Sequence, residues 1–389
     1  MQFSVRAIAR LSLIILVLGS GMLRAKLAAD SAWKKHIVHE GIFTFTAVAG
    51  DFSGDGRMDV ISNSGGQTRL FVAPDWREIV IDDRPGHSFI HSEVMDVDGD
   101  GDLDYVGVRY SPGLIVWLER PERPLIEPWP LHIVDDQVNG IHGVIKGDVD
   151  KDGRLDLLAT SAQSKGPFPY SLAWFRAPKY PTAAARWERY IFADRDAPGL
   201  SHYLGFGDIN GDGRPDAASA AKGGAPTKDG EWFAWWEAPK DPRSTWKKHL
   251  ISDQHPGATN IHPADVNGDG KVDLVASRGH GKGVIWFEAP SWREHTINPS
   301  LASPHCLAVI DMDGDGDVDV ATCAFESKVT AWFENDSTGK FKTHILDRDQ
   351  AAYDIRTIDM DGDGDIDILL GGQESNNVVW YESPLKPQK

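Results

Sequence analysis

Asp359-Met360-Asp361-Gly362-Asp363-Gly364-Asp365-Ile366-Asp367 is the stretch that decides the reading of this chain, because its pattern recurs from one end to the other. Further copies begin at Asp51, Asp96, Asp148, Asp208, Asp265 and Asp311. Each places an oxygen-bearing side chain at loop positions 1, 3, 5 and 9, and glycine at position 6. The set comprises Asp51, Ser53, Asp55 and Asp59; Asp96, Asp98, Asp100 and Asp104; Asp148, Asp150, Asp152 and Asp156; and Asp208, Asn210, Asp212 and Asp216. It continues with Asp265, Asn267, Asp269 and Asp273; Asp311, Asp313, Asp315 and Asp319; and Asp359, Asp361, Asp363 and Asp367. A hard cation such as Ca²⁺ takes about six to eight oxygens, which carboxylates on alternate residues, a backbone carbonyl and a sharp glycine turn can supply. Up to seven structural calcium ions are therefore expected. Loops 1, 4 and 5 should be the weakest, since Ser53, Asn210 and Asn267 replace a carboxylate at position 3. No glutamate stands at position 12, and β-type runs such as Val272 to Ala276 follow the loops. The ligand order is that of an EF-hand, but it is carried on a β-hairpin.

The spacing between copies is roughly 45 to 60 residues, the length of a propeller blade of four short antiparallel strands. An apolar strand enters each loop, a β-branched strand leaves it, and an aromatic strand follows, as in Val284-Ile285-Trp286-Phe287 and Val378-Val379-Trp380-Tyr381. Trp76, Trp129, Trp187, Trp246 and Trp292 each open a fourth strand, where packing between blades is the expected role. The N-terminal Trp33-Lys34-Lys35-His36-Ile37-Val38 matches the fourth-strand pattern of Trp246-Lys247-Lys248-His249-Leu250-Ile251, while the C-terminus stops after a third strand. The fold class expected is all-β: a seven-bladed β-propeller whose ring is closed by an N-terminal strand completing the last blade, leaving no open edge.

The 389 residues divide into an expected signal peptide over 1–29 and one propeller over 30–389. Arg6 and Arg10 precede an apolar stretch from Leu11 to Leu18 that is too short to span a bilayer. A secreted or periplasmic protein without a membrane span is expected. The net charge of −18 comes largely from the loops, which hold about half of the 58 acids. Seven Ca²⁺ would bring the charge to about −4, ordinary for a soluble domain. No basic stripe exists to neutralise phosphates, which argues against nucleic acid as a partner.

The run of apolar strand, Asp-x-(Asp/Asn)-Gly-Asp-Gly-x-x-Asp and β-strand resembles the FG-GAP/VCBS repeats of integrin α-subunits and many secreted bacterial proteins. Two copies depart slightly, with Ser53 at position 3 of loop 1 and Lys151 at position 4 of loop 3. The resemblance implies the propeller and calcium binding, and it covers nearly the whole chain beyond the leader. It does not imply one activity, because the fold serves adhesion modules, polysaccharide lyases and aldos-2-ulose dehydratase alike.

Residues that could carry chemistry follow from the blade layout. If the acidic loops lie on one face, the starts of the first strands ring the channel mouth on the other. His142, His202 and His305 stand six residues before the first loop Asp, as does Tyr353; His91 stands five before and His262 three before. Repetition at one offset would converge several imidazoles on one spot, with a transition metal at the mouth as one outcome. Loops after the second strands bring Arg109 and Tyr110, Lys165 and Tyr170, Lys222 and Lys228, Arg278 and His280, and Glu326 to the same face. By contrast, His36, His132, His249, His295 and His344 recur on the outermost strands and are expected to be structural. A cationic, His- and Tyr-bearing mouth suits an anionic or polyhydroxylated ligand, so carbohydrate is the expected partner. Lyase or dehydratase chemistry by β-elimination would use His142, His202, His305, Tyr353, His91, His262, Arg109, Tyr110 and Arg278. The alternative is a non-catalytic carbohydrate- or protein-binding adhesion propeller. Cys306 and Cys323 fall nearly opposite each other around loop 6, which allows a cross-strand disulfide, zinc ligation with His305, or two buried thiols.

Overall fold

The computed structural model describes residues 33–223 and 230–385. The segment read as a signal peptide lies outside these residues, as does Lys228. Among the described residues, twenty-eight strands form seven four-stranded antiparallel sheets. Six blades are consecutive in the chain, and the seventh joins Asp354–Ile358, Asp367–Gly372 and Asn377–Glu382 to the N-terminal strand Lys34–Glu40. Lys34 lies opposite Glu382 and His36 opposite Trp380, so the chain's two ends share one sheet.

The burial pattern explains why these residues form these strands. Second strands such as Asp59–Ser64, Asp156–Ser161 and Asp367–Gly372 are buried at every position. They are covered on both faces by neighbouring blades, so they read as continuous apolar or small-residue runs rather than alternating ones. Fourth strands are far more open, because they lie at the outer edge of each blade: Lys247–Ser252 is buried nowhere along its length. Trp129, Trp187 and Trp246 pack into the interblade core, and the Trp246 indole donates to the Pro242 carbonyl at 2.8 Å.

The outer histidines form a repeated rim. His36, His132, His249, His295 and His344 stack on Trp380, Trp117, Trp235, Trp286 and Trp332 with ring centroids 4.0–4.5 Å apart. Each also meets the glutamate two residues after its stacked tryptophan, as His249 meets Glu237 at 2.8 Å. In blade 3, Tyr190 stacks on Trp174 and donates its hydroxyl to Glu188 in the same place.

The hairpin joining first and second strands is the acidic loop in every blade. Its position-1 carboxylate accepts backbone amides from the turn: Asp359 takes those of Gly362 and Gly364 at 2.7 and 3.0 Å. The position-6 glycines hold φ between +81° and +96°, which residues with a Cβ rarely adopt. The position-9 aspartate is a buried pin. Asp104 Oδ2 accepts the Val97 amide at 2.9 Å, and Oδ1 accepts the Arg120 amide at 2.8 Å, tying the loop to the third strand's end. Asp156, Asp216, Asp273, Asp319 and Asp367 repeat this pair of bonds.

Candidate functional site at the channel mouth

The first strands surround the channel, and the layout places their starts opposite the acidic loops. There the structure brings together His91, His142, His202, His305 and Tyr353, and adds Tyr203 and His280. The His142 and His202 rings stack at 3.8 Å between centroids, and His305 stacks on Tyr353 at 3.6 Å. His91 lies 4.7 Å from the Tyr203 ring and 5.3 Å from His142. The Tyr353 hydroxyl is hydrogen-bonded to His142 Nε2 at 3.0 Å. A cavity of about 340 Å³ opens above them, lined by His142, His202, His280, Tyr353, Tyr110 and Lys222 among others.

Tautomers follow from the partners. His202 Nδ1 lies 2.8 Å from the Leu200 carbonyl and His305 Nδ1 3.1 Å from the Tyr353 carbonyl. A carbonyl can only accept, so both Nδ1 atoms carry the proton and both Nε2 atoms present a lone pair. His202 Nε2 faces His280 Nε2 at 3.0 Å. His305 Nε2, His142 Nδ1 and both nitrogens of His91 are buried without a partner. Burial, reinforced by the neighbouring imidazoles, holds His91, His202 and His305 well below the ordinary histidine range. Burial brings His142 to about 3 and His280 to about 4, with Lys222 contributing to each, so the whole cluster is neutral at physiological pH.

Three residues expected at the mouth lie elsewhere. His262 falls on the half of the channel nearer the acidic loops, where it lines a second cavity of about 400 Å³ with Lys146, Phe206 and Arg356. Three residues before the loop, a side chain sits a full pleat below the mouth, and blade 5 has Thr259 at the ring position instead. Arg109 is spent on its own loop, donating to the Pro112 carbonyl at 2.6 Å and the Gly86 carbonyl at 2.9 Å. Arg278 lies beside His255, whose proton affinity it lowers, and does not line the mouth cavity. Tyr110 does line it, and its hydroxyl accepts from Gln163 Nε2 at 2.9 Å.

Cys306 and Cys323 are register partners on adjacent strands, yet both are buried free thiols. Burial pushes the Cys306 thiol up to about 12, away from the thiolate that zinc requires, and Cys306 Sγ sits 3.7 Å from Asp354 Oδ1 instead. Sequence reasoning did not anticipate that aspartate. Asp354, fully buried, accepts from Thr46 Oγ1 at 2.7 Å and pairs with Arg356 at 3.4 Å, while Glu93 lies 3.8 Å from both Arg356 and Lys146. This charged layer separates the histidine mouth from the lower cavity.

The acidic loops can be tested for fit to calcium. In loops 2, 3, 6 and 7 three carboxylates bring oxygens within 4.8 Å of one another: Asp96, Asp98 and Asp104; Asp148, Asp150 and Asp156; Asp311, Asp313 and Asp315; and Asp359, Asp361 and Asp367. Two position-3 oxygens, Ser53 Oγ and Asp150 Oδ1, are buried with no partner. Burial raises Asp104, Asp156 and Asp319 to about 7, and neighbouring loop carboxylates add to the shift. Orphaned oxygens and crowded carboxylates are what a divalent cation would relieve, so the residues fit the ion.

The FG-GAP-like repeat model matches residues 96–159, 208–276 and 311–370. The class is thus a β-propeller built on acidic hairpin repeats. Within that class, the chain belongs to the FG-GAP seven-bladed propellers. No curated protein matches it. Among solved structures it is similar to an Agrocybe aegerita lectin that recognises non-reducing terminal N-acetylglucosamine, at 17% identity and TM-score 0.51, covering 80% of this chain and 81% of the lectin. Virginiamycin B lyase of Staphylococcus aureus, in a catalytically inactive form with quinupristin, aligns at 10% identity and TM-score 0.57 over 90% of this chain and 99% of the lyase. BBS1N in complex with ARL6DN aligns at 10% identity and TM-score 0.59 over 92% and 99%. At these identities the likeness is one of fold.

Proposed function

We propose that the protein is a carbohydrate-active lyase or dehydratase that performs β-elimination at the histidine-lined mouth. The observation that carries this reading is the cavity wall itself: Tyr353, Tyr110, His280 and Lys222 surround one space of about 340 Å³ on a rigid ring. Elimination from a uronic acid or keto-sugar needs a base for the proton α to the carbonyl, positive charge for the developing enolate, and an acid for the leaving oxygen. Lys222 supplies the charge. Tyr353 passes its phenolic proton to His142 Nε2, to which it is hydrogen-bonded, and takes the α-proton as the enolate forms. Tyr353 then protonates the leaving oxygen as the β carbon–oxygen bond breaks, His142 Nε2 returns the proton it held, and the carbon–carbon double bond remains in the product. No redox partner is required. A lectin and a lyase on the same fold support a scaffold able to hold a glycan or eliminate from a ligand.

The test is a screen of uronate oligosaccharides and keto-sugars, reading the ultraviolet absorbance of the unsaturated product. Tyr353→Phe should lower kcat by about 10²- to 10⁴-fold, the usual worth of a positioned acid or base. Turnover unaffected by Tyr353→Phe and Lys222→Met together would remove the assignment. Glycan binding that survives both changes without any product would favour a binding propeller.

Calcium belongs to the same proposal. The side chains of the seven loops, from Asp51 to Asp367, would hold it, and the ion would neutralise their mutual repulsion and fix the hairpins. Export, read from residues 1–29, would place the chain where calcium is abundant. No helix among the described residues is long and apolar enough to cross a membrane.

A further inference from the structure

We infer that His142, His202 and His305 form a site for one first-row transition ion, distinct from the calcium loops. One ring nitrogen of each lies within 4.8 Å of the others. Proximity alone would be weak evidence, since stacked imidazoles also serve as packing. The second observation is how each ring is held. His202 and His305 each donate Nδ1–H to a backbone carbonyl, which fixes the tautomer and leaves the lone pair on Nε2. His142 has its Nε2 bonded to the Tyr353 hydroxyl, leaving Nδ1 without a partner. His142 and His305 are thus each anchored through one nitrogen and leave the other unpaired, while His202 is anchored through Nδ1 and meets only His280 with its Nε2, which is close to the arrangement that orients metal-ligating imidazoles.

The buried nitrogens have nothing else to do. His305 Nε2 and His142 Nδ1 are enclosed and unpaired, a state that folded proteins avoid for polar atoms. His280 Nε2, 3.0 Å from His202 Nε2, stands where a fourth nitrogen could join. The ligands are neutral and nitrogenous, which suits Zn²⁺, Cu²⁺, Ni²⁺ or Fe²⁺ and disfavours Ca²⁺ and Mg²⁺. An ion bonded at about 2.0–2.1 Å would require the nitrogens to close toward one another by small ring rotations. His142, His202 and His280 line the cavity, so one side of the ion would face a ligand. The inference does not depend on elimination: a metal centre at the mouth would serve a binder equally, and its test reads the ion rather than turnover.

The experiment uses the full chain, with calcium held in excess so that the acidic loops are occupied. Cu²⁺ is titrated and electron paramagnetic resonance recorded, with Co²⁺ absorption as an independent probe. The expected result is one Cu²⁺ per chain showing hyperfine coupling to at least three nitrogens, together with a tetrahedral or five-coordinate Co²⁺ spectrum. His202→Gln combined with His305→Gln should weaken Cu²⁺ binding by at least 100-fold while leaving calcium content unchanged. If that variant does not fold, the nitrogen count on the unaltered protein still decides the matter. Copper bound through oxygens alone, no stoichiometric site in the presence of calcium, or affinity unchanged in the folded variant would each overturn the inference.

Discussion

The two faces of this propeller are built on opposite principles. On one, seven acidic loops repeat nearly the same residues, down to the position-9 aspartate with its two backbone amides. On the other, the ring six residues before each loop reads Phe45, Ile90, His142, His202, Thr259, His305 and Tyr353. Repetition serves the fold, because every blade must solve the same closure problem. The histidine face departs from the repeat, and the departures converge on one point of the axis. A repeat protein can concentrate chemistry only where its copies differ, since equal residues around a ring would place the same group everywhere.

The largest expected effect tests whether the acidic face depends on ions. Chelation with EDTA should lower the melting temperature steeply or unfold the chain. Each loop occupied at calcium 100-fold above its Kd contributes about 2.7 kcal/mol, so a few loops match a whole domain's stability. Loops should not be equal. In loop 5 Asn267 carries no charge and Asp269 is already paired with Lys271 at 2.6 Å, whereas among the described residues no cation pairs with a loop 7 carboxylate. Asp361→Ala should therefore cost more in calcium than Asn267→Ala, read by calorimetry at matched calcium. A melting temperature that ignores EDTA would show the loops to be hydrogen-bonded turns and nothing more.

The next effect lies between the faces. Arg356→Met leaves Asp354 and Glu93 buried beside each other without their shared cation, and breaking a buried pair costs about 3–5 kcal/mol. The low end is expected, since the Arg356 side chain keeps 29% exposure toward the lower cavity. Urea denaturation of this variant, and of a second one adding Asp354→Leu, separates the lost pair from lost packing. Recovery in the double variant is expected.

A smaller effect depends on pH. Burial, with Arg356 adding to it, lowers His262 to about 4 in the folded chain. Unfolded, it titrates near 6.5. Above pH 6.5 both states are neutral and the group contributes nothing that varies. As pH falls from about 6.5 toward 4 the unfolded chain takes up a proton that the folded one refuses. Stability then drops by about 1.4 kcal/mol per unit from this group, and the slope ends below about 4. The loop carboxylates titrate nearby, so the measurement is the difference between the unaltered chain and His262→Gln. That variant should have a shallower acid limb. Parallel curves would show that His262 protonates freely in the folded state.

The blade count and the loops were legible in the sequence because they are local and repeated. The ring of His142, His202 and His305 was legible for the same reason, as a shared offset. What was hidden depends on strand register. In blade 4 the pairing slips between Ser201 and Leu204, and in blade 6 between Pro304 and Cys306, inserting an extra residue into the first strand. Such bulges re-aim side chains, and here the two successive residues His202 and Tyr203 both reach the cluster. Spacing alone could not show this, nor that His262 belongs to the lower cavity. The Asp354–Arg356–Glu93 layer escaped notice because Glu93 comes from a different blade than Asp354 and Arg356, and none of the three belongs to a motif.

The smallest effect sharpens the comparison, because it concerns histidines that repeat as faithfully as the acidic loops. His249 stacks on Trp235 with planes 6° apart and meets Glu237 at 2.8 Å, and four other blades copy it. If repetition measured energetic weight, His249→Gln would be costly. It should instead cost less than about 1 kcal/mol, since the His249–Glu237 contact is only partly buried and open to screening, and glutamine keeps a donor and part of the stacked surface. His249→Gln measured beside Arg356→Met, a singular residue in the channel, should therefore show the smaller loss by several-fold. Equal losses would mean that the Trp–His–Glu rim is a structural belt comparable to the acidic loops. The expected inequality has a physical origin: the rim lies in high dielectric, where each copy contributes little, and the channel in low dielectric, where one charge decides the local balance.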